Sequence, residues 1–309
     1  MSIRSRCAAA LAATVVAVVS LTACGSGSDG GVSASASAAV PTADVVSAVA
    51  TDPALHARVP GGAATLTLGT VDSPGVDDLP HAGEVPAGHE VGLDVDLRNA
   101  VARVLGIRWN EQHGTFATII PGVQSGRYQV GQANFGVTKA RLAVVDFATY
   151  LSDGQSFLGA KDSGLTHVAT LTDLCGKRIA TQPGSTFQDI LTQGAGDCAA
   201  RGKSPYTVQY YSDEGATILA LETGKADVQF GPTLSLKYAA GEIPGSTFLG
   251  QISTTTVGFV TAKGSPLAPL LVAAVNRLIA TGDYARIFAK WGVPGTGIAE
   301  STLDAAATF

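Results

Sequence analysis

The chain has 309 residues, of which 46% are hydrophobic and 15% are charged. This composition is too apolar for a disordered protein, and the apolar residues are too evenly spread for a protein with several membrane spans. The formal net charge of −5 argues against nucleic acid as the main partner, because proteins that bind a phosphate backbone need concentrated Lys and Arg. The length suits a soluble body of two domains.

Residues 1–23 have the pattern of a signal peptide. Arg4 and Arg6 precede an uncharged apolar run at 8–21 that is too short to span a membrane. The string LTAC that ends at Cys24 resembles the lipobox of bacterial lipoproteins. This resemblance implies that Cys24 becomes the lipidated first residue of an exported protein, held at the outer face of the cell membrane. A plain secretory signal with an incidental Cys is the alternative.

Residues 24–62 are rich in Gly, Ser and Ala and therefore predict a flexible tether. Such a segment cannot bury enough side chain to order itself. Within it, a short amphipathic stretch at 45–59 is suited to dock on the body.

From residue 65 onward, strand patterns alternate with helix patterns, which is typical of an α/β fold with mostly parallel sheets. Ligands of such folds bind at the carboxyl ends of the strands. In chain order the prediction is strand 65–70, helix 97–105, strand 107–110, helix 116–124, strands 128–134, 155–160 and 177–181, helix 186–193, strand 208–211, helix 214–223, strand 226–230, helix 234–240, strand 255–261, and helices 267–281 and 284–291.

Two cysteines remain once Cys7 leaves with the signal peptide and Cys24 carries the lipid. In an exported, oxidising compartment Cys175 and Cys198 are expected to form the only disulfide of the mature body. Two buried free thiols are the alternative.

The sequence shows no pattern of metal or nucleotide chemistry. It contains no nucleophile elbow and no phosphate-binding Gly-rich loop, and the five histidines lack the spacing of metal ligands. Neither a metal nor a cofactor is therefore expected. The histidines are His56, His81, His89, His113 and His167.

A series of short motifs occurs in a fixed order and covers nearly the whole body. They are GLDVDL at 92–97, FATIIPGVQSG at 116–126, TKAR at 138–141, GST at 184–186, ALETGKAD at 220–227, and GDY at 282–284 with KWG at 290–292. Together they resemble the family 3 extracellular solute-binding proteins of bacterial ABC importers, which bind polar amino acids.

The resemblance implies an α/β, two-lobed, type II periplasmic-binding-protein-like fold with two crossing hinge strands. Residues 155–161 and 258–263 match these crossings. Lobe 1 would then comprise residues 63–156 and 258–309, and lobe 2 residues 157–257. The ligand would bind in the cleft between the lobes.

The resemblance also assigns candidate ligand-binding residues in lobe 1. Arg141 matches the arginine that holds the α-carboxylate of the ligand, and its planar guanidinium suits a bidentate hold. Thr138 lies three residues earlier, at a helix start. Phe116 matches a residue that packs against the ligand, although an ordinary core Phe would explain it as well. Asn134 and Gly136 match further pocket positions.

In lobe 2, the resemblance implies that Gly184, Ser185 and Thr186 contact the ligand carboxylate from the side of the cleft opposite Arg141. These residues follow a predicted strand and open a predicted helix. A Ser or Thr at such a place also acts as an N-cap without any ligand, so both roles can hold together.

One departure from the family concerns the ammonium group of the ligand. The family places an Asp about five residues after the Asp of its Gly-Lys-Ala-Asp segment, where this chain has Pro232. Burying an unpaired ammonium costs several kcal/mol. Either Asp72, Asp213 or Glu214 takes the place of the missing acid, or the ligand lacks a standard α-amino group.

These features predict a lipid-anchored, monomeric, non-enzymatic receptor that delivers an amino acid or a related small carboxylate to the permease of an ABC transporter. One alternative is a cyclohexadienyl-dehydratase-like enzyme on the same scaffold, which the acid missing at position 232 and the lack of His near the pocket motifs disfavour. The other is a non-transporting ligand sensor or interaction module. The sequence names neither the solute nor the permease.

Overall fold

The computed structural model describes residues 40–86 and 88–308 of the chain. The predicted signal peptide, Cys24 and the first part of the predicted tether lie outside these residues. Within the described ranges, no helix combines the length and the apolar character needed to cross a membrane.

The helices and strands alternate along most of the body, as predicted. The helices are α1 (Pro53–His56), α2 (Leu93–Leu105), α3 (Phe116–Gln124), α4 (Lys139–Leu142), α5 (Thr186–Gln193), α6 (Glu214–Glu222), α7 (Thr233–Glu242), α8 (Leu267–Thr281) and α9 (Asp283–Lys290). The strands are β1 (Thr65–Val71), β2 (Gly83–Val85), β3 (His89–Val91), β4 (Arg108–Gly114), β5 (Val130–Gly131), β6 (Val145–Gly159), β7 (Arg178–Thr181), β8 (Thr207–Tyr210), β9 (Val228–Pro232) and β10 (Thr247–Ala262).

The larger sheet has the strand order β4-β1-β5-β10-β6-β9-β7-β8, and β2 pairs with β3 separately. The three outer strands on each side are parallel to one another, as predicted. The centre differs, because β6 and β10 are antiparallel to each other and to their outer neighbours. These two long strands pair from Val145 with Ala262 to Gly159 with Thr247 and so run through both halves of the sheet.

The crossing strand β6 begins at Val145, well before the predicted strand at 155–160. Almost every residue of β6 is buried, so the alternation of apolar and polar residues that marks a strand in sequence is absent. The predicted lobe boundaries at 156–157 and 257–258 fall inside β6 and β10, and they stay a prediction.

Each half of the sheet has its own hydrophobic core. In the first half, α2 packs on α8 through fully buried side chains such as Leu97 and Leu271. In the second half, Phe157 stacks on Phe230 with ring centroids 4.3 Å apart. Two cores connected by two long strands leave the residues between the halves free to form a cleft.

Residues 40–62, predicted as the end of the flexible tether, pack on the body instead. Val49 and Val59 are 2% and 4% exposed and belong to the core around α2 and α8. Arg103 of α2 also donates a hydrogen bond from Nε to the carbonyl of Val49. These apolar contacts lie within the amphipathic stretch at 45–59. They hold the segment on the body although it is rich in small residues, the composition from which a flexible tether was predicted.

The disulfide between Cys175 and Cys198 is present, with a Cα–Cα distance of 5.6 Å. It links the segment before β7 to the loop after α5, in the core of the second half. The pairing predicted from export and cysteine count is confirmed.

Reduction of this disulfide is expected to lower the free energy of unfolding by about 3 kcal/mol, because it releases a loop closed across 23 residues. Denaturant unfolding with and without reductant measures the loss, and a Cys175→Ser, Cys198→Ser double variant should reproduce it without reductant. A loss below about 1 kcal/mol in both experiments would mean that the bond constrains little of the unfolded chain.

Candidate functional site

A cavity lies between the two halves of the sheet, beside the crossing strands. Residues from β1, α2, α5, α6 and both crossing strands line it. Six of the eight predicted ligand-binding residues are among its lining: Phe116, Asn134, Gly136, Arg141, Ser185 and Thr186. The other two, Thr138 and Gly184, do not line it but hydrogen-bond to Arg141.

Arg141 bridges the two sides of the cavity. Its Nη1 donates to the carbonyl of Gly136 at 3.0 Å, and its Nη2 donates to the carbonyl of Gly184 at 3.1 Å. Thr138 caps α4 by accepting a hydrogen bond at Oγ1 from the backbone N–H of Arg141. Burial lowers the pKa of Arg141 to about 10, so the guanidinium is charged at neutral pH. A guanidinium has five N–H donors, which leaves three for a ligand.

Two aromatic rings fix the plane of this guanidinium. The Arg141 Cζ lies 5.5 Å from the ring centroid of Phe116 and 5.5 Å from that of Phe135. The rings contact each other, with centroids 4.8 Å apart. Phe116 thus supports Arg141 through cation–π contact as well as lining the cavity.

The start of α5 forms the opposite side of the cavity. Ser185 donates from Oγ to the carbonyl of Gln182 at 2.6 Å and accepts from the backbone N–H of Gln188 at 3.2 Å, so its hydroxyl caps the helix. Gly184 has a φ of +73°, and a Cβ there would lie 3.2 Å from the Cβ of Ala117 in α3. Glycine therefore lets this loop approach the first half closely enough for its carbonyl to reach Arg141.

A cluster of acidic residues and one histidine occupies the same cavity, and only Glu214 of this cluster was considered from the sequence. His81 lies 2.9 Å by Nε2 from Asp153 Oδ2 and 3.4 Å by Nδ1 from Asp94 Oδ2. His81 is 2% exposed, so this contact is fully internal. No His lies near the pocket motifs along the sequence, but the loop between β1 and β2 brings His81 into the cavity from a segment without a motif.

The charge state of His81 follows from these neighbours. Burial alone would lower the pKa of His81, but Asp94 and Asp153 outweigh it and hold the pKa well above its usual range. Asp153 further accepts hydrogen bonds from the Asn134 side chain and from the backbone N–H groups of Gly154 and Leu234. Asp153, on crossing strand β6, therefore joins the loop of the first half to the start of α7.

Asp78 and Glu214 line the cavity without a cationic partner within ion-pair distance among the described residues. Asp78 Oδ1 accepts from the hydroxyl of Ser235 at 2.8 Å, and Glu214 Oε1 accepts from the amide of Gln229. Burial raises the pKa of Asp78 to about 6 and that of Glu214 to about 8, and the charge of Asp78 adds to the second shift.

The three acids considered as replacements for the missing Asp at Pro232 lie in different places. Glu214 lines the cavity beside Pro232. Asp72 contacts His113 at the surface, and Asp213 caps α6 by accepting from the backbone N–H of Ala216. Glu214 is therefore the only one of the three that a ligand in this cavity could reach.

Several buried polar atoms of the cavity lining have no hydrogen-bond partner among the described residues. Three are the acceptors Asp94 Oδ1, Gln132 Oε1 and Asn134 Oδ1, and two are the nitrogen atoms His81 Nδ1 and Arg98 Nε. Burying an acceptor without a donor costs about 1–3 kcal/mol, so native sites fill such positions with water or a ligand. The lining is thus suited to a ligand rich in N–H donors.

The family relationship follows from comparison with known proteins. The profile of the bacterial extracellular solute-binding proteins, family 3, matches residues 77–294. The chain belongs to this family. The arginine-binding protein ArgT of Corynebacterium glutamicum is 30% identical to this solute-binding protein over 213 residues, which cover 67% of this chain and 68% of the relative.

Solved structures confirm the two-lobed fold of this solute-binding protein. An ancestral arginine-binding protein bound to arginine is 27% identical, with a TM-score of 0.66, and the match covers 74% of this chain and 98% of that one. An ancestral arginine-binding protein bound to glutamine is also 27% identical, with a TM-score of 0.64, over 74% and 97% of the two chains.

Outside the cavity, the solute-binding protein has one candidate cation cluster among its described residues. Ligand atoms of Glu90, Glu111 and His113 lie within 4.8 Å of one another, a grouping that the sequence spacing did not indicate. Arg98 already donates from Nη2 to both carboxylates, and this guanidinium occupies the place of a cation. We assign no metal to the cluster.

Proposed function

We propose that this protein is a receptor for an amino acid with a cationic side chain, with arginine as the leading candidate, and that it delivers this ligand to the permease of an ABC transporter. The observation that carries the proposal is the charge pattern of the cavity. Arg141 is a cation with unused donors, whereas Asp78 and Glu214 are carboxylates without a cationic partner. The cationic Arg141 complements the α-carboxylate of arginine, and the acidic pair complements a cationic group of arginine.

The unpartnered acceptors support the same class of ligand. A guanidinium group offers five N–H donors and no acceptor, and an ammonium group offers three donors. These groups can satisfy Asp94, Gln132 and Asn134, whereas a carboxylate or amide oxygen placed there would add an acceptor to acceptors. The relatives described above include arginine-binding proteins, which agrees with this assignment.

In this proposal Arg141 holds the α-carboxylate with its free N–H groups, and the start of α5 with Ser185 and Thr186 completes the hold from the second lobe. Phe116, Asn134 and Gly136 shape the rest of the lobe 1 pocket. Closure of the two lobes around the ligand would let the permease distinguish a loaded from an empty receptor.

Calorimetric titration with a matched set of ligands tests the proposal. L-Arginine and L-citrulline have nearly the same shape, but only arginine carries a charged side chain. We expect arginine to bind roughly 10- to 100-fold more tightly than citrulline or glutamine, because a hydrogen bond to a buried charge contributes about 1.5–3 kcal/mol. Equal affinity for arginine and citrulline would overturn the cationic assignment.

The place of the protein in the cell is part of the same proposal. The sequence supports export, removal of residues 1–23 and lipid attachment at Cys24, which would keep a monomeric receptor at the outer face of the membrane near its permease. Mass spectrometry of the protein extracted from membranes should find a diacylglyceryl group on the thiol of Cys24, and an unmodified Cys24 thiol would contradict the anchor.

The dehydratase alternative gains one observation from the cavity. Glu214, with its pKa raised to about 8, supplies a protonated carboxyl group, which is the proton donor that such an enzyme needs. Formation of an aromatic product from a cyclohexadienyl acid, followed by ultraviolet absorbance, would support this enzyme. A protein that neither reacts nor binds any amino acid would instead favour a sensor or interaction module.

A further inference from the structure

Asp78 and Glu214 come from opposite sides of the cleft. Asp78 belongs to the loop between β1 and β2, in predicted lobe 1, and Glu214 is the first residue of α6, in predicted lobe 2. Ser235 at the start of α7 donates to Asp78 and so holds the loop against lobe 2. The two carboxylates therefore approach each other only when the lobes are together.

Neither carboxylate has a full set of partners in this arrangement. Each accepts one hydrogen bond from a neutral side chain, and Glu214 is 9% exposed. Gln229, which donates to Glu214, has a buried Oε1 without a partner among the described residues, and Asp94 and Gln132 present two such acceptors to the cavity that Asp78 and Glu214 line. These acceptors form a second, independent sign that a donor-rich group fits beside the acidic pair.

We propose that Asp78 and Glu214 form a single cation-binding pair across the cleft, which holds a proton when the receptor is empty and exchanges it for the positively charged group of the ligand. Both carboxylates line one cavity, and the charge of Asp78 raises the pKa of Glu214, so ionisation of one carboxylate opposes ionisation of the other unless a cation is bound. A guanidinium or ammonium group supplies that cation, and the displaced proton leaves to solvent. This inference rests on the proposed function, because it takes an amino acid with a cationic side chain as the ligand.

Burial is the largest cause that raises the pKa of both carboxylates and so favours a proton held in the empty state, whereas the neighbouring charges act in both directions. Asp77, on the same loop, raises the pKa of Glu214 further, while His81 lowers it. Asp94 on α2 and Asp153 on β6 raise the pKa of Asp78, and His81 lowers that as well.

His81 does not neutralise the pair, since its own ring contacts Asp94 and Asp153. At neutral pH, Glu214 holds the larger share of the exchanged proton because its pKa, about 8, exceeds that of Asp78, about 6.

The exchange predicts how binding depends on pH. Ligand binding must remove a proton at pH values below the pKa of Glu214 in the empty protein, so affinity falls as pH decreases. Between pH 8.5 and 6.5 we expect the affinity for L-arginine to drop on the order of tenfold. Acidification would unload the receptor, and alkaline pH would load it.

Calorimetry of the full body in buffers with different ionisation enthalpies measures the protons released. At pH 7.0 we expect about one proton released per L-arginine bound, because the pair is largely singly protonated when empty. In Glu214→Gln the release should fall to near zero and the affinity should lose its dependence on pH. Asp78→Asn gives a second variant in which the release should fall only in part, because burial still raises the pKa of Glu214, and circular dichroism checks that both variants fold.

Glu222→Gln is the matched control, since it makes the same substitution at the exposed end of α6 and should release the wild-type number of protons. L-Arginine that binds without proton release would overturn the exchange and leave the proposed function intact. Unchanged release in both Glu214→Gln and Asp78→Asn would overturn it too, because the proton would then come from another group. No binding of L-arginine between pH 6.5 and 8.5 would refute the proposed function, and this inference with it.

Discussion

Substitution of Arg141 by Ala is expected to weaken ligand binding by about 3–5 kcal/mol, which is at least a hundredfold in affinity. The reason is that the ligand carboxylate would enter a closed cleft and find no cation. The stability of the free protein should change little, because Arg141 makes no ion pair within 4.0 Å among the described residues. Burial also lowers the pKa of Arg141, which means that burying this charge costs free energy.

Two variants and one ligand separate this role from a structural one. Arg141→Lys keeps the charge but loses the planar fork, so we expect an intermediate loss of affinity. Lys139→Ala, an exposed position on the same short helix, should bind like the wild type. Agmatine is arginine without its carboxylate, and its affinity should not depend on Arg141. A large fall in melting temperature with unchanged arginine affinity would assign Arg141 to the framework instead.

Substitution of Asp153 by Asn is expected to cost about 3–5 kcal/mol of unfolding free energy, the usual result of breaking a buried ion pair. Asp153 accepts hydrogen bonds from four donors, including His81 and the backbone N–H of Leu234. The amide side chain of the variant would place its NH₂ group, which is itself a donor, against some of these donors. His81 would be left charged and buried with Asp94 alone. Denaturant unfolding of the free protein measures the loss.

The pH dependence of this loss identifies the ion pair as its cause. The folded pKa of His81 is raised above its usual value of 6.5, so the stability from the charged ring is fully present below about pH 6.5 and is lost as pH rises through the raised value. The difference between wild type and Asp153→Asn should therefore be largest in mild acid and shrink in alkali.

Asp162→Asn, an exposed position just after β6, should change stability by no more than about 0.5 kcal/mol and serves as the control. A pH-independent difference for Asp153→Asn would point to lost backbone hydrogen bonds rather than to the charge of His81.

The helices were the part of the fold that local sequence determined best. The predicted bounds of 116–124, 186–193 and 267–281 are those observed for α3, α5 and α8. Their apolar residues repeat with helical spacing, and Ser185 and Gly282 mark a start and an end by capping, so the signal lies within a few residues of chain. The motifs around Arg141 and Ser185 likewise sufficed to place both in one cavity.

The antiparallel centre of the sheet was decided only by tertiary structure. The strand β6 is buried along nearly its whole length because it lies at the centre of the sheet, where α7 and α8 pack against it, and burial on both faces removes the alternation that sequence patterns need. The packing of residues 40–62 on the body was also decided by tertiary structure. Val49 and Val59 are core residues only because they pack against the apolar side chains of α2 and α8.

Only the tertiary structure brings the acidic residues of the cavity together. Asp78 with His81, Asp94, Asp153 and Glu214 come from four separate segments of the chain, and of these residues only Glu214 was considered from the sequence as a group for the ligand. Their charges matter because the fold removes water from around them and brings them within each other's electrostatic reach, which raises the pKa of Glu214 and pairs His81 with two aspartates. The sequence predicted Arg141 as the residue for a carboxylate, whereas only the tertiary structure showed which acids lack a cationic partner among the described residues, because desolvation and through-space distance are properties of the folded chain.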